Sequence, residues 1–192
     1  MSASKRDMLV QKALGVFYKN GFHATGMDKV AAETGVSKVS IYKHFRSKEE
    51  LIQATLRLRD EQFRNWLIRR VDELASTPRK RLLAMFDALG EWFEENDFQS
   101  CMFVKASSEY QDRDHPIHVI SAEHKRRLLT YVIGLAEQAG ASHPGDLARQ
   151  LMFLKEGAIV TAHLQGAKGV AENAKNAASV LIETSIGRLG GA

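Results

Sequence analysis

Apolar residues recur every three or four positions along most of this chain, and no segment alternates with the period of two that marks a strand. The pattern predicts an all-α fold. Val10, Ala13, Leu14 and Phe17 form the stripe of a first helix, opened by a capping box of Ser4 with Asp7 and closed at Asn20-Gly21. Phe22 is expected to join the core. A second capping box, Thr25 with Asp28, opens a short helix through Val30, Ala31 and Ala32. Gly35 ends it, because glycine tolerates the left-handed backbone of a sharp turn. Ser37 then caps a helix from Lys38 to Phe45 with Ile41 and Phe45 on its inner face. Ser47 with Glu50 starts the next.

From about Lys48 a long helix is expected to reach Ala75, near 40 Å at the usual rise per residue, with Ile52, Leu56, Phe63, Leu67, Val71 and Leu74 inward. Thr77-Pro78 caps a helix through Leu82, Met85, Phe86, Leu89 and Phe93. Ser100 to Glu109 reads as another. Asp114 is expected to cap a helix with Pro116 in its first turn, carrying Ile117, His124, Leu128 and Leu135. A loop follows at Ala139 to Gly145. Leu147 to Gln165 is apolar nearly all round, so it needs cover on both flanks. A final helix, about Ala171 to Leu189, offers small residues for close approach.

Two helices joined by a short turn containing Gly form a helix-turn-helix, whose second helix enters the DNA major groove. The outward face of that second helix shows Lys38, Val39, Ser40, Tyr42, Lys43 and His44. It has cations and short hydroxyls and no acidic residue, as a surface meeting phosphates and base edges requires. Charge placement agrees. Of 27 Lys and Arg, nine lie in residues 1–50 against five Asp and Glu, while residues 51–192 carry 18 of each. The whole net charge of +4 therefore sits on the segment with the helix-turn-helix.

Composition narrows the class further. With 44% hydrophobic and 26% charged residues, the 192-residue chain reads as globular. The one cysteine excludes an internal disulfide and cysteine-rich zinc sites, which fits a reducing cytoplasm. No apolar run approaches membrane-spanning length, and Asp7, Gln11 and Lys12 interrupt any signal peptide. A cytoplasmic protein is expected.

Ala13-Leu14-x-x-Phe17, Asn20-Gly21-Phe22, Thr25, Val30-Ala31, Gly35-Val36-Ser37, Ile41-Tyr42-Lys43-His44-Phe45 and Lys48 together resemble the N-terminal signature of the tetracycline-repressor family of bacterial transcription regulators. The resemblance covers Leu9 to Leu51, about a quarter of the chain. Ile41 stands where Leu is usual, Thr34 where Ala is usual, and Gly26 where a second hydroxyl is common. The resemblance implies a three-helix DNA-binding domain over residues 1–48 and a helical ligand-binding and dimerisation domain over 49–192. It adds Thr25, Ser37 and Lys48 to the DNA-contacting set, with Lys43 and Lys48 expected on phosphates.

A homodimer through a four-helix bundle is implied as well. The last two helices offer Leu147, Leu151, Leu154 and Ala158 with Ala174, Ala178, Leu181 and Ile182 for it. The middle helices would enclose an inducer cavity. Its candidates are Met85, Phe86, Trp92 and Phe93, then Cys101, Met102 and Tyr110, with His124, Phe153 and Glu156 supplying further apolar and polar contacts. The protein is thus expected to be a repressor released from its operator by a small, largely apolar ligand, with no cofactor.

Two other readings compete. A constitutive DNA-binding dimer would use its second domain for assembly alone. A small metal-dependent enzyme would have to use His115, His118 and His124, whose spacing does not place all three on one helical face. No Gly-rich phosphate loop, nucleophile elbow or HExxH motif accompanies them.

Overall fold

The computed structural model describes residues 4–187, and among these it is built from nine helices with no strand. They are α1 (Lys5–Asn20), α2 (Met27–Thr34), α3 (Lys38–Tyr42), α4 (Lys48–Leu74), α5 (Pro78–Phe93), α6 (Met102–Glu109), α7 (Pro116–Gln138), α8 (Pro144–Gln165) and α9 (Val170–Ile186). Every predicted helix is present. None of them is long and apolar enough to cross a membrane.

The boundaries differ where capping chemistry differs. Ser4 and Asp7 form their reciprocal box at α1, and the Thr77 hydroxyl accepts from Lys80 N at α5. The box expected of Thr25 and Asp28 does not form. Gly26 is the N-cap of α2, and the buried Thr25 hydroxyl donates instead to Gly21 O at 2.7 Å. Ser47 accepts from Glu50 N, but the Glu50 carboxylate accepts from Arg46 N. Asp114 does not cap α7 either. Asp112 accepts its amide, and His115 Nδ1 accepts from Ile117 N at the helix start. The helix from Lys38 ends at Tyr42, its chain closing through a turn in which Phe45 N donates to Ile41 O. Helix α9 is described to Ile186, so Leu189, expected in its last turn, lies outside the described residues.

The chain gathers into two compact units. One contains the chain through Phe63 together with Cys101–Lys125; the other contains Arg64–Ser100 and the chain from Arg126 onward. Compactness therefore does not divide the chain at residue 48, since α6 and the start of α7 cluster with α1 to α3.

In the first unit, Leu9, Ala13 and Phe17 of α1, Val30 of α2, Ile41 of α3 and Leu51, Ile52 and Leu56 of α4 are fully buried. Phe17 and Phe22 stack with ring centroids 5.7 Å apart. Each such large side chain contributes about 1.5–3 kcal/mol by leaving water. A polar pair lies in the same unit: His124 Nδ1 meets Asp60 Oδ1 at 2.8 Å, with the Phe103 ring stacked on the imidazole at 3.7 Å. The buried carboxylate is thereby paired rather than orphaned.

In the second unit α9 packs on α5 and α8. A side chain at Gly90 would approach the Ala171 methyl to 3.1 Å, so glycine there permits the close α5–α9 contact. Arg70 grips Glu91 with two nitrogens at 2.7 and 2.8 Å, and Lys175 reaches Asp87 at 2.7 Å. Leu74, expected inward, is exposed at the end of α4.

Candidate nucleic-acid interface

Helices α2 and α3 pack together, and their Val30, Thr34 and Ile41 are buried. Gly35 makes the turn between them possible. Its φ of 69° is left-handed, and its amide donates to Ala31 O at 3.0 Å. Thr34 ties its hydroxyl to Val30 O at 2.7 Å, and Lys12 of α1 donates to Thr34 O at 2.8 Å. The end of α2 is thus held from both sides. Ser37 then accepts from Ser40 N at 3.2 Å and shares a hydroxyl contact with Ser40 at 2.9 Å.

This leaves one face of α3 in solvent. Val39 is 69% and Tyr42 50% exposed, and Lys38, Lys43 and His44 are exposed beside them. A valine and a tyrosine side by side on a cationic surface bring apolar and hydrogen-bonding contacts to the same few ångströms, the combination that reading base edges needs. Lys38 is partly committed. Its ammonium meets Asp28 at 2.8 Å, and this hydrogen bond and charge push its pKa above the ordinary lysine value. Asp28 therefore competes with any phosphate for Lys38. Arg6 lies over the Phe45 ring at 4.9 Å, adding a cation to the same unit.

Two residues read from the sequence as DNA contacts point elsewhere. Thr25 is fully buried, with its hydroxyl on Gly21 O. The Lys48 ammonium faces three carbonyls of the α1–α2 turn, Phe22 O at 3.0 Å, His23 O at 3.3 Å and Thr25 O at 3.4 Å. In this structure Lys48 is directed at the turn, where three carbonyl dipoles converge on its ammonium.

The residues expected to line a ligand cavity divide between the two units. Met85, Phe86, Trp92 and Phe93 are buried in the second unit, where Trp92, Phe93 and Phe98 cluster with centroids 4.9 to 5.9 Å apart. Cys101, Met102, Tyr110 and His124 are buried in the first. Phe153 is 73% exposed and lines no interior; Glu156 is half-buried and pairs with Lys155 at 2.9 Å. Lys155 itself, unremarked in the sequence, is buried. The Tyr131 hydroxyl in the second unit is buried without a hydrogen-bond partner, and burial pushes its pKa up to about 12.

The dimer candidates differ in exposure. Leu147, Leu151, Ala158, Ala178 and Ile182 are buried within the chain's own packing, and Leu154, Ala174 and Leu181 are half-buried. The large apolar residues left in solvent on α8 and α9 are Phe153, Val160, Leu164 and Val180. Among the histidines, His118 Nδ1 contacts Tyr110 O, His115 stacks on the Tyr110 ring and His124 pairs with Asp60. Among the described residues no cluster of His, Cys, Asp and Glu could hold a metal ion.

Residues 9–55, the span that builds α1 to α3 and the start of α4, match the family described as bacterial regulatory proteins, tetR family. The chain belongs to the TetR family. The HTH-type transcriptional regulator YjdC of Escherichia coli is 23% identical over 98% of both chains. The HTH-type transcriptional repressor KstR2 of Mycolicibacterium smegmatis is 31% identical over 57% of this chain and 53% of its own. A TetR-family transcriptional regulator from Streptomyces coelicolor superposes with a TM-score of 0.88 at 26% identity, covering 94% of this chain and 89% of that one. As a TetR-family protein the chain is a DNA-binding transcriptional regulator and not an enzyme. Helices α2 and α3, joined by the Gly35 turn, form the helix-turn-helix within the matched residues.

Proposed function

We propose that this TetR-family protein is a homodimeric repressor whose two α3 helices read the half-sites of a pseudo-palindromic operator, and that a small, largely apolar ligand releases it. The observation that carries the reading is the solvent face of α3, where Val39, Ser40, Tyr42, Lys43 and His44 stand together with no acidic residue. Lys43 serves phosphate, and Tyr42 and Val39 serve base edges. The DNA-binding domain of this reading is residues 1–48; the rest of the chain supplies assembly and ligand response in the cytoplasm.

The partner proposed is a second copy. Phe153, Val160 and Leu164 recur along the outer side of α8, and Val180 stands exposed on neighbouring α9. An apolar strip on two adjacent helices is costly in water and self-complementary across a two-fold axis. Repression is the role of the similar repressor KstR2. A ligand is supported by the buried aromatic and methionine side chains of α5 and by the unpartnered Tyr131 hydroxyl, a polar point that a ligand could satisfy.

The test is to select duplexes from random DNA with the full-length protein and footprint the winners. Two symmetric half-sites protected by a dimer support the proposal, and protection of one unrepeated half-site by a monomer rejects it.

A further inference from the structure

Helix α6 belongs to the same compact unit as the helix-turn-helix, and two of its side chains, one turn apart, take hold of the end of α1 and the turn after it. Glu109 Oε1 accepts the Phe22 amide at 3.0 Å, and Oε2 accepts the same amide at 3.1 Å together with the His23 amide. Lys105, four residues earlier, donates to Tyr18 O in the last turn of α1 at 3.4 Å. Each charge meets the backbone dipole of opposite sign, an ammonium on a helix C-terminal carbonyl and a carboxylate on free amides. The site is shaped for this. Gly21 sits at φ 78°, and a Cβ there would come within 3.1 Å of Glu109 Oε1. The His23 ring packs edge-on to Tyr110 at 4.6 Å. From the other side Lys48 holds the carbonyls of the same turn.

We propose that Lys105 and Glu109 form a clasp through which α6 fixes the orientation of the helix-turn-helix, so that Glu109 is a positioning residue for operator recognition. The inference rests on the reading of α3 as the DNA reader. Residues 21–25 lead directly into α2, and α2 carries α3 through the Gly35 turn. A turn whose amides and carbonyls are both pinned has one orientation. Freed of Glu109, its Phe22 and His23 amides lose their acceptor, and the turn samples several. Base contacts depend on that orientation, whereas sequence-independent phosphate attraction tolerates error. The clasp is also a second route, besides the long helix α4, by which a displacement of α6 would reach the reader.

The test compares Glu109→Ala and Glu109→Gln with the wild type in the full-length protein. Both variants lose the same charge, so any change in general attraction to DNA is common to them. Gln keeps one acceptor oxygen for the amides; Ala keeps none. The readout is the ratio of affinities for the duplex selected by the wild type and a scrambled duplex of equal length. Glu109→Ala is expected to lower that ratio roughly tenfold, the scale of one charge-assisted hydrogen-bonding group lost, with Gln intermediate. Hydrogen exchange at the Phe22 and His23 amides should quicken in the same order. Lys105→Met, which keeps the buried stem, should shift the ratio in the same direction.

A merely structural role would lower both affinities in proportion to the folded fraction and leave the ratio unchanged, which would overturn the proposal. So would faster exchange at the two amides with an unaltered ratio. A wild type that prefers no duplex would sink the DNA reading itself, a different result from a normal wild type with indifferent variants.

Discussion

Lys48 and Lys43 lie five residues apart and carry the same charge, yet they have different tasks. Lys43 is exposed at the end of α3, so Lys43→Ala should weaken binding to all duplexes and lower the slope of log affinity against log salt by about 1. Tyr42→Ala should reduce affinity for the selected duplex while leaving the slope nearly intact, because a phenol releases no counterion. Titrations at several salt concentrations separate the two; equal slopes in all three proteins would contradict the phosphate role of Lys43. Lys48→Ala should act on stability instead. Its ammonium satisfies Phe22 O, His23 O and Thr25 O, and losing it should cost about 1–2 kcal/mol in urea unfolding. The exposed residues of α3 were legible in the sequence, since Ile41 and Phe45 define the buried side and the remainder must face out. The tasks of Thr25, Lys48 and Glu109 were not. Their partners are backbone groups, and Glu109 lies 87 residues from Phe22, a separation over which no periodicity carries information.

At the scale of helices, Gly35 and the outer strip of α8 are the informative cases. Gly35 was readable because only a left-handed residue can close so short a turn, and its φ of 69° bears this out. Gly35→Ala should cost roughly 1–2 kcal/mol by thermal or urea unfolding, the strain of an L-residue in that region. An unchanged stability would contradict it. Helix α8 was not readable in the same way. It is apolar on most sides, so its sequence fixes that it is covered but not which side the chain covers for itself. Packing on α9 and α5 takes Leu147, Leu151, Ala158 and Ile159, and it leaves Phe153, Val160 and Leu164 outside. The double variant Phe153→Arg with Leu164→Arg should therefore sediment as a monomer while keeping its helical circular dichroism. A dimer that survives both arginines would move the interface elsewhere.

For the whole molecule, an all-α chain of nine described helices followed from spacing alone, and the excess positive charge in residues 1–50 marked where nucleic acid would be met. What spacing did not reveal is that α6 clusters with the DNA-binding helices, because that depends on contacts between residues far apart in the chain. A ligand in the second domain can alter DNA affinity only by preferring one arrangement of the reader over another, with couplings typically of about 1–3 kcal/mol. The central claim precedes this. Two identical α3 helices, presented by one dimer, read two half-sites in successive turns of the major groove. The direct measurement is hydroxyl-radical footprinting of the full-length protein on its selected duplex, with the stoichiometry taken from sedimentation of the same complex. Two protected half-sites related by a two-fold axis, about 10 base pairs or a multiple apart and occupied by two chains, is the expected result. One half-site covered by a single chain at full affinity would contradict it.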